Sequence, residues 1–156
     1  MAKTMTDAAE AMIRESGARV TRARVEVLAV LLKAERALSH HDVERRLNRS
    51  LGVDRVTVYR VLDWLSGCGL AHKIAGEDRI SRYNAAEHAH SRAHAHFQCG
   101  RCGTVVCLDD ADAPTEVPVP TGFVPHEVVL TVKGLCATCA HTRTSSSRHP
   151  PARARH

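Results

Sequence analysis

The chain has 156 residues, enough for one domain of ordinary size or two small ones. Its 44% hydrophobic and 25% charged content excludes wholesale disorder, its 3% aromatic content argues against a stacking platform for single strands, and no apolar run approaches the roughly 20 residues that span a bilayer. The net charge of +5 is uneven: 15 Lys/Arg face 11 Asp/Glu over residues 1–84, 3 face 6 over residues 85–139, and residues 140–156 carry four Arg and no acid.

From the N-terminus, Asp7 to Ser16 reads as a short helix that Gly17 ends. Thr21 is placed to cap a second helix, whose Val25, Leu28, Ala29 and Leu32 keep the i, i+3, i+4, i+7 spacing of one buried stripe. Ser39 and Asp42 form a capping-box pattern for a third helix, with Val43 and Leu47 inward and His40 and His41 as surface candidates. Asp54 caps a fourth helix, in which Val58, Val61, Leu62 and Leu65 share a stripe and Arg55, Thr57, Tyr59 and Arg60 lie off it. Gly67 and Gly69 stop that helix, and Cys68 between them reads as a half-buried small residue. LAHKIA (70–75), the turn GED and RISRYN (79–84) then read as a β-hairpin.

Short helices followed by a hairpin are the order of a winged helix-turn-helix, with the fourth helix as the recognition helix. Arg55, Thr57, Tyr59 and Arg60 near a helix N-terminus suit a major groove, because Arg donates to guanine or phosphate while Thr and Tyr bond phosphate or touch a thymine methyl. On periodicity alone, a protein partner or plain solvent on that face stays open.

The strongest chemical signal lies downstream. Cys99-Gly-Arg-Cys102 and Cys136-Ala-Thr-Cys139 are two CxxC pairs that can supply four thiolates to a tetrahedral zinc ion. Disulfides need an oxidising compartment, whereas the N-terminus lacks a basic-then-apolar signal pattern, so a cytoplasmic protein with reduced thiols is expected. HAHFQC (94–99), TVVCL (104–108) and HEVVLTVKG (126–134) read as three strands of a small antiparallel sheet. Pro114, Pro118 and Pro120 discourage a long helix between the last two. Such a small unit needs a metal staple and a partner. His94 and His96 alternate on one strand face and make half a second metal site, to which Cys107 can add a thiolate, with His126 or Glu127 reachable from the next strand. No HExxH or HxE…PCxxC pattern supports a catalytic zinc, so no enzyme is expected.

The combination of DRVTVYRVLDWLSGCGL, ARVTRAR, HAHFQCGRCG and GLCATC resembles the ferric uptake regulator (Fur) family over roughly residues 7–139, and looks most like its zinc-responsive branch. The resemblance implies an α+β fold: a winged-helix DNA-binding domain over 1–84, a hinge over 85–93, a metal-binding and dimerisation domain over 94–139, and a disordered basic tail over 140–156. It also implies a homodimer on a palindromic double-stranded operator, with no membrane and no small-molecule substrate. Tyr59 and Arg60 match the family's DNA contacts, Arg19 matches its minor-groove residue, and Arg24 closes the same basic segment. Cys99, Cys102, Cys136 and Cys139 match its structural zinc ligands, and His94 and His96 its regulatory ones.

The chain also departs from the pattern. An acid beyond the first CxxC falls on Cys107, the ligand ending the wing falls on Asn84, and a histidine before the third helix falls near Ala37. His88 or His90 is therefore expected to complete the regulatory set with His94, His96 and Cys107. Imidazole and thiolate favour Zn²⁺ over Fe²⁺ or Mn²⁺ at that second site. The expected function is a metal-responsive, zinc-directed transcriptional repressor of metal homeostasis genes. The competing readings are a peroxide- or iron-responsive regulator of the same fold and a zinc-stapled interaction module without sensing.

Overall fold

The computed structural model describes residues 4–47, 51–86, 93–108, 116–126 and 128–144. In chain order these form α1 (Met5–Glu15), α2 (Arg22–Leu32), β1 (Leu38–Ser39), α3 (His40–Arg46), α4 (Arg55–Gly67), β2 (Ala71–Ala75), β3 (Ser81–Ala85), β4 (Ala93–Cys99), β5 (Val105–Cys107), β6 (Val128–Gly134) and α5 (Ala137–Thr144).

Helix starts follow the local chemistry. Thr4 and Asp7 make a full capping box at α1, so that helix begins two residues before Asp7, which serves as its N3 partner. Thr21 accepts from the Arg24 amide, Ser39 and Asp42 cap α3 reciprocally, and Asp54 Oδ1 accepts from the Thr57 amide at 2.7 Å. Gly17 ends α1 at φ +75°, a conformation that glycine adopts without a Cβ penalty.

Val58, Val61, Leu62 and Leu65 of α4 are buried as their spacing predicts. They pack with Leu28 and Leu31 of α2, Ile13 of α1, Leu38 and Tyr83 into one core beneath the recognition helix. On α2 the burial is wider than a single stripe, because Val27 and Leu31 are enclosed as well and Leu32 is only partly covered. Cys68 is exposed rather than half-buried, because it caps the end of α4 between two exposed glycines with its thiol near the Leu65 carbonyl.

The hairpin of β2 and β3 gains a third strand, the two-residue β1, so the wing is a sheet of order β1-β3-β2. The second sheet has the order β5-β4-β6. Its β4–β5 pair is antiparallel, but β4 and β6 run parallel, which corrects the expectation of an all-antiparallel unit. Each of these two strands delivers a CxxC pair from its C-terminal end, and both pairs must reach the same point, so the strands must point the same way. Helix α5 then continues to Thr144, so residues 140–144 of the expected tail are helical; Arg101 Nη1 ties this helix down by donating to Thr142 Oγ1 at 2.9 Å.

The two sheets are joined directly. The Ala37 amide donates to the Val105 carbonyl at 2.9 Å, and Ala37, Ile74 and Val105 bury a small apolar cluster between wing and second sheet. Lys133 of β6 pairs with Glu77 at the wing turn. Gly103 at φ +72° sits against Arg82, where an added Cβ would come within 3.0 Å of Nη2.

Leu62 is fully enclosed beneath the recognition helix. Leu62→Ala is expected to lower unfolding stability by about 2–5 kcal/mol, read from denaturant titration at constant zinc content. A loss under about 1 kcal/mol would mean that this core is not the support of α4.

Candidate metal centre and nucleic-acid interface

Cys99 ends β4, Cys102 closes the turn behind it, and Cys136 and Cys139 lie before and within the first turn of α5. The Cys99 amide donates to the Thr104 carbonyl at 2.9 Å and the Gly103 amide to the Cys99 carbonyl at 3.0 Å, which folds the first pair into a knuckle. The Gly100 amide donates across to the Gly134 carbonyl at 2.9 Å and locks the two knuckles together. All four sulfurs lie within 4.8 Å of one another, and Cys102 and Cys136 are 3.7 Å apart. A tetrahedron with Zn–S bonds of about 2.3 Å has edges of about 3.8 Å, so this spacing and an all-thiolate donor set fit zinc.

The protonation pattern points the same way. The Cys99 thiol is lowered to about 6, chiefly by the Cys102 backbone amide and then by those of Cys136 and Arg101. Cys102 is also lowered, by the Thr104 hydroxyl and amide. Cys139 is pushed up to about 12, first by its contact with Cys136 and then by burial. Four thiolates this close repel one another, so the last of them ionises readily only with a cation among them.

The second constellation lies where the sheets meet. His96 pairs with Cys107 across β4 and β5, and its Nδ1 is 3.5 Å from Cys107 Sγ. Tetrahedral zinc bound to one sulfur and one imidazole nitrogen sets them about 3.6 Å apart. His96 is buried and Cys107 partly so. Asn84, near the end of wing strand β3, places Nδ2 2.8 Å from the same sulfur. His94 is two residues from His96 on β4, but its side chain lies outside the described residues, as do His88, His90 and Glu127 in full. His126 is exposed ahead of β6.

On the recognition helix, Arg55, Tyr59 and Arg60 are exposed and Thr57 is partly covered, with its amide held by Asp54. Arg19 is exposed before α2. Arg24 differs from its neighbours: its guanidinium lies 3.8 Å from the Trp64 ring centroid, and Nη1 donates to the Arg19 carbonyl at 2.7 Å. Arg24 therefore shapes the segment that presents Arg19. His40, a surface candidate by its position on α3, is buried, stacks on Tyr59, and bonds through Nε2 to the Arg55 carbonyl at 3.2 Å. His41 remains exposed. Nothing in the spacing of residues 40 and 59 announces that contact; only the packing of α3 against α4 makes it.

The family model for the ferric uptake regulator family matches residues 15–131. The transcriptional regulator FurA of Mycobacterium tuberculosis (strain H37Rv) is 34% identical over 147 residues, spanning 88% of this chain and 93% of that protein. The zinc uptake regulation protein of Escherichia coli K12 is 29% identical over 146 residues, spanning 91% of this chain and 84% of that protein. Among solved structures, a zinc uptake regulator complexed with zinc and DNA is 26% identical with a TM-score of 0.65, covering 90% of this chain and 95% of that one.

Zinc uptake by the metal-free chain is expected to release fewer than four protons per ion near pH 7, because the Cys99 thiol is lowered to about 6 while Cys139 is held protonated. Below about pH 6 Cys99 carries a proton too, so release should climb toward four and apparent affinity should fall more steeply. Calorimetry in buffers of different ionisation heat reads the number; four protons per ion at pH 7 would contradict the lowered Cys99 thiol.

Proposed function

The chain belongs to the ferric uptake regulator family, and from that premise we propose that it is a zinc-responsive transcriptional repressor of metal homeostasis genes, acting as a homodimer on palindromic DNA. It is a regulator and not an enzyme. No helix among the described residues is long and apolar enough to cross a membrane. Work on DNA with reduced thiols fits the cytoplasm.

The observation that carries the sensing role is the joint at Cys107. One sulfur is touched by His96 from the second sheet and receives the Asn84 amide from the wing, so a metal held by His96 and Cys107 would sit at the seam of the two modules. Domain boundaries at residues 84 and 94 fit that arrangement, with His88, His90 and His94 as the further candidate ligands. Bound there, zinc would supply a fixed link between wing and sheet. The two donors seen together there, a thiol and an imidazole, favour zinc over iron or manganese. Cys99, Cys102, Cys136 and Cys139 would hold a separate structural zinc.

The chain's own residues then do the coupling. Asn84 and the Ala37–Val105 hydrogen bond fix how the wing sits on the second sheet, and that angle sets the separation of two recognition helices in a dimer. A matched separation lets Arg55, Thr57, Tyr59 and Arg60 of each copy enter successive major-groove segments, while Arg19 reaches the adjacent minor groove. Ligands that favour the competent angle by about 1–3 kcal/mol change DNA affinity by roughly 5–150-fold. The second copy has a place to dock: Val129, Leu130 and Val132 are exposed on strand β6, which pairs with β4 alone among the described strands.

A gel-shift titration on DNA from the chain's own upstream region, with chelator or added Zn²⁺, Fe²⁺ or Mn²⁺, is expected to show binding that zinc restores best. Binding indifferent to every metal while the structural zinc stays in place would defeat the sensor reading. Tyr59→Ala with Arg60→Ala should abolish the shift at unchanged zinc content. His96→Ala with Cys107→Ser should lower zinc by about one ion per chain while the dimer persists, as read by elemental analysis and light scattering. An unchanged zinc count would remove both residues from the regulatory set.

A further inference from the structure

We propose that His40 is a positioning residue for DNA recognition, holding Tyr59 of the recognition helix in one orientation by ring stacking. The two ring centroids are 3.5 Å apart and the planes 13° from parallel, so the imidazole covers one face of the phenol. His40 is 6% exposed and Tyr59 46%, so one ring belongs to the protein interior and the other is offered to a ligand. A carbonyl only accepts, so the 3.2 Å contact from His40 Nε2 to the Arg55 oxygen is a donation by the imidazole, and it fixes the ring plane. In an α-helix the carbonyl of residue 55 also receives the amide of residue 59, so the same oxygen anchors both the stacking base and the helical turn that carries Tyr59.

His40 itself is set by its own element. It is the first residue of α3, directly behind the Ser39 capping box that fixes where that helix starts. A phenol half in solvent would otherwise sample several rotamers and would have to be ordered when it meets a base or phosphate. Stacking removes that ordering from the binding step, so it contributes to affinity without touching DNA.

The inference rests on Tyr59 being a DNA contact, and the test separates the two. Affinity is measured at fixed salt with the full, zinc-loaded chain on a duplex that this protein selects from a random-sequence pool. His40→Ala is expected to weaken binding about threefold to tenfold with unchanged zinc content. His40→Phe, which keeps an aromatic face and loses the donor, should restore most of the affinity, and His40→Gln, which keeps a donor and loses the ring, should not. In a Tyr59→Ala background the His40→Ala change should cost nothing further, a non-additivity that a general weakening of α3 would not produce. Wild-type affinity in His40→Ala, rescue by Gln instead of Phe, or full additivity with Tyr59→Ala would each overturn the positioning role. If Tyr59→Ala alone left affinity unchanged, the DNA reading of that helix face would fall and the inference with it.

Discussion

Two sequence-distant CxxC pairs have to place four sulfurs within 4.8 Å of one another, and most of the second half of the chain is arranged to satisfy that demand. It forces β4 and β6 to run in one direction, because each ends at its own knuckle. It makes glycines useful at the turn, where Gly103 takes φ +72° and Gly100 brings its amide to the Gly134 carbonyl. It starts α5 immediately after Cys136 and lets Arg101 of the first knuckle hold that helix through Thr142. Among the described residues this three-stranded sheet encloses few side chains, so a zinc ion held by the four sulfurs would substitute for a core.

The knuckle does not stand apart from the winged-helix half. Arg82 of the wing, clamped by Asp78 at 2.7 Å, lies against Gly103, and that partnership holds the Asp78 carboxyl down to about 2. A few residues away the backbone bond from Ala37 to Val105 and the contact of Asn84 with Cys107 complete the seam. The structural thiolate cluster, the candidate sensing pair and the wing therefore share one continuous contact surface. On α4, Tyr59 and Arg60 are offered to solvent while Val58, Leu62 and Leu65 anchor the helix in the core.

What could be read from residues alone was what depends on near neighbours in sequence. Ser39 with Asp42, Thr21 and Asp54 mark helix starts because a cap acts within three residues. The α4 stripe was legible because helical periodicity imposes it, and the four-cysteine set because two-residue spacers are specific to one ligand geometry. The direction of β6, the two-residue β1, the stack of His40 on Tyr59 and the seat of Arg24 on Trp64 were not legible. Each is a contact across many residues of chain, with no local preference to betray it. Arg24, read as one more charge in a basic segment, also meets an indole and a carbonyl, contacts that charge alone does not announce.

Strand β6 leaves Val129, Leu130 and Val132 open, and side chains adjacent along a strand point to opposite faces, so apolar surface shows on both sides of the sheet. A strand that leaves apolar side chains open on both faces draws part of its thermodynamic integrity from what associates with it. Its melting temperature is then no constant of the chain but a function of protomer concentration and free zinc, rising with each by mass action. Dilution and metal depletion act on the same free energy, so at low copy number the chain would lose its paired form at a higher zinc level than at high copy number. Abundance thereby becomes part of the set point at which such a protein responds.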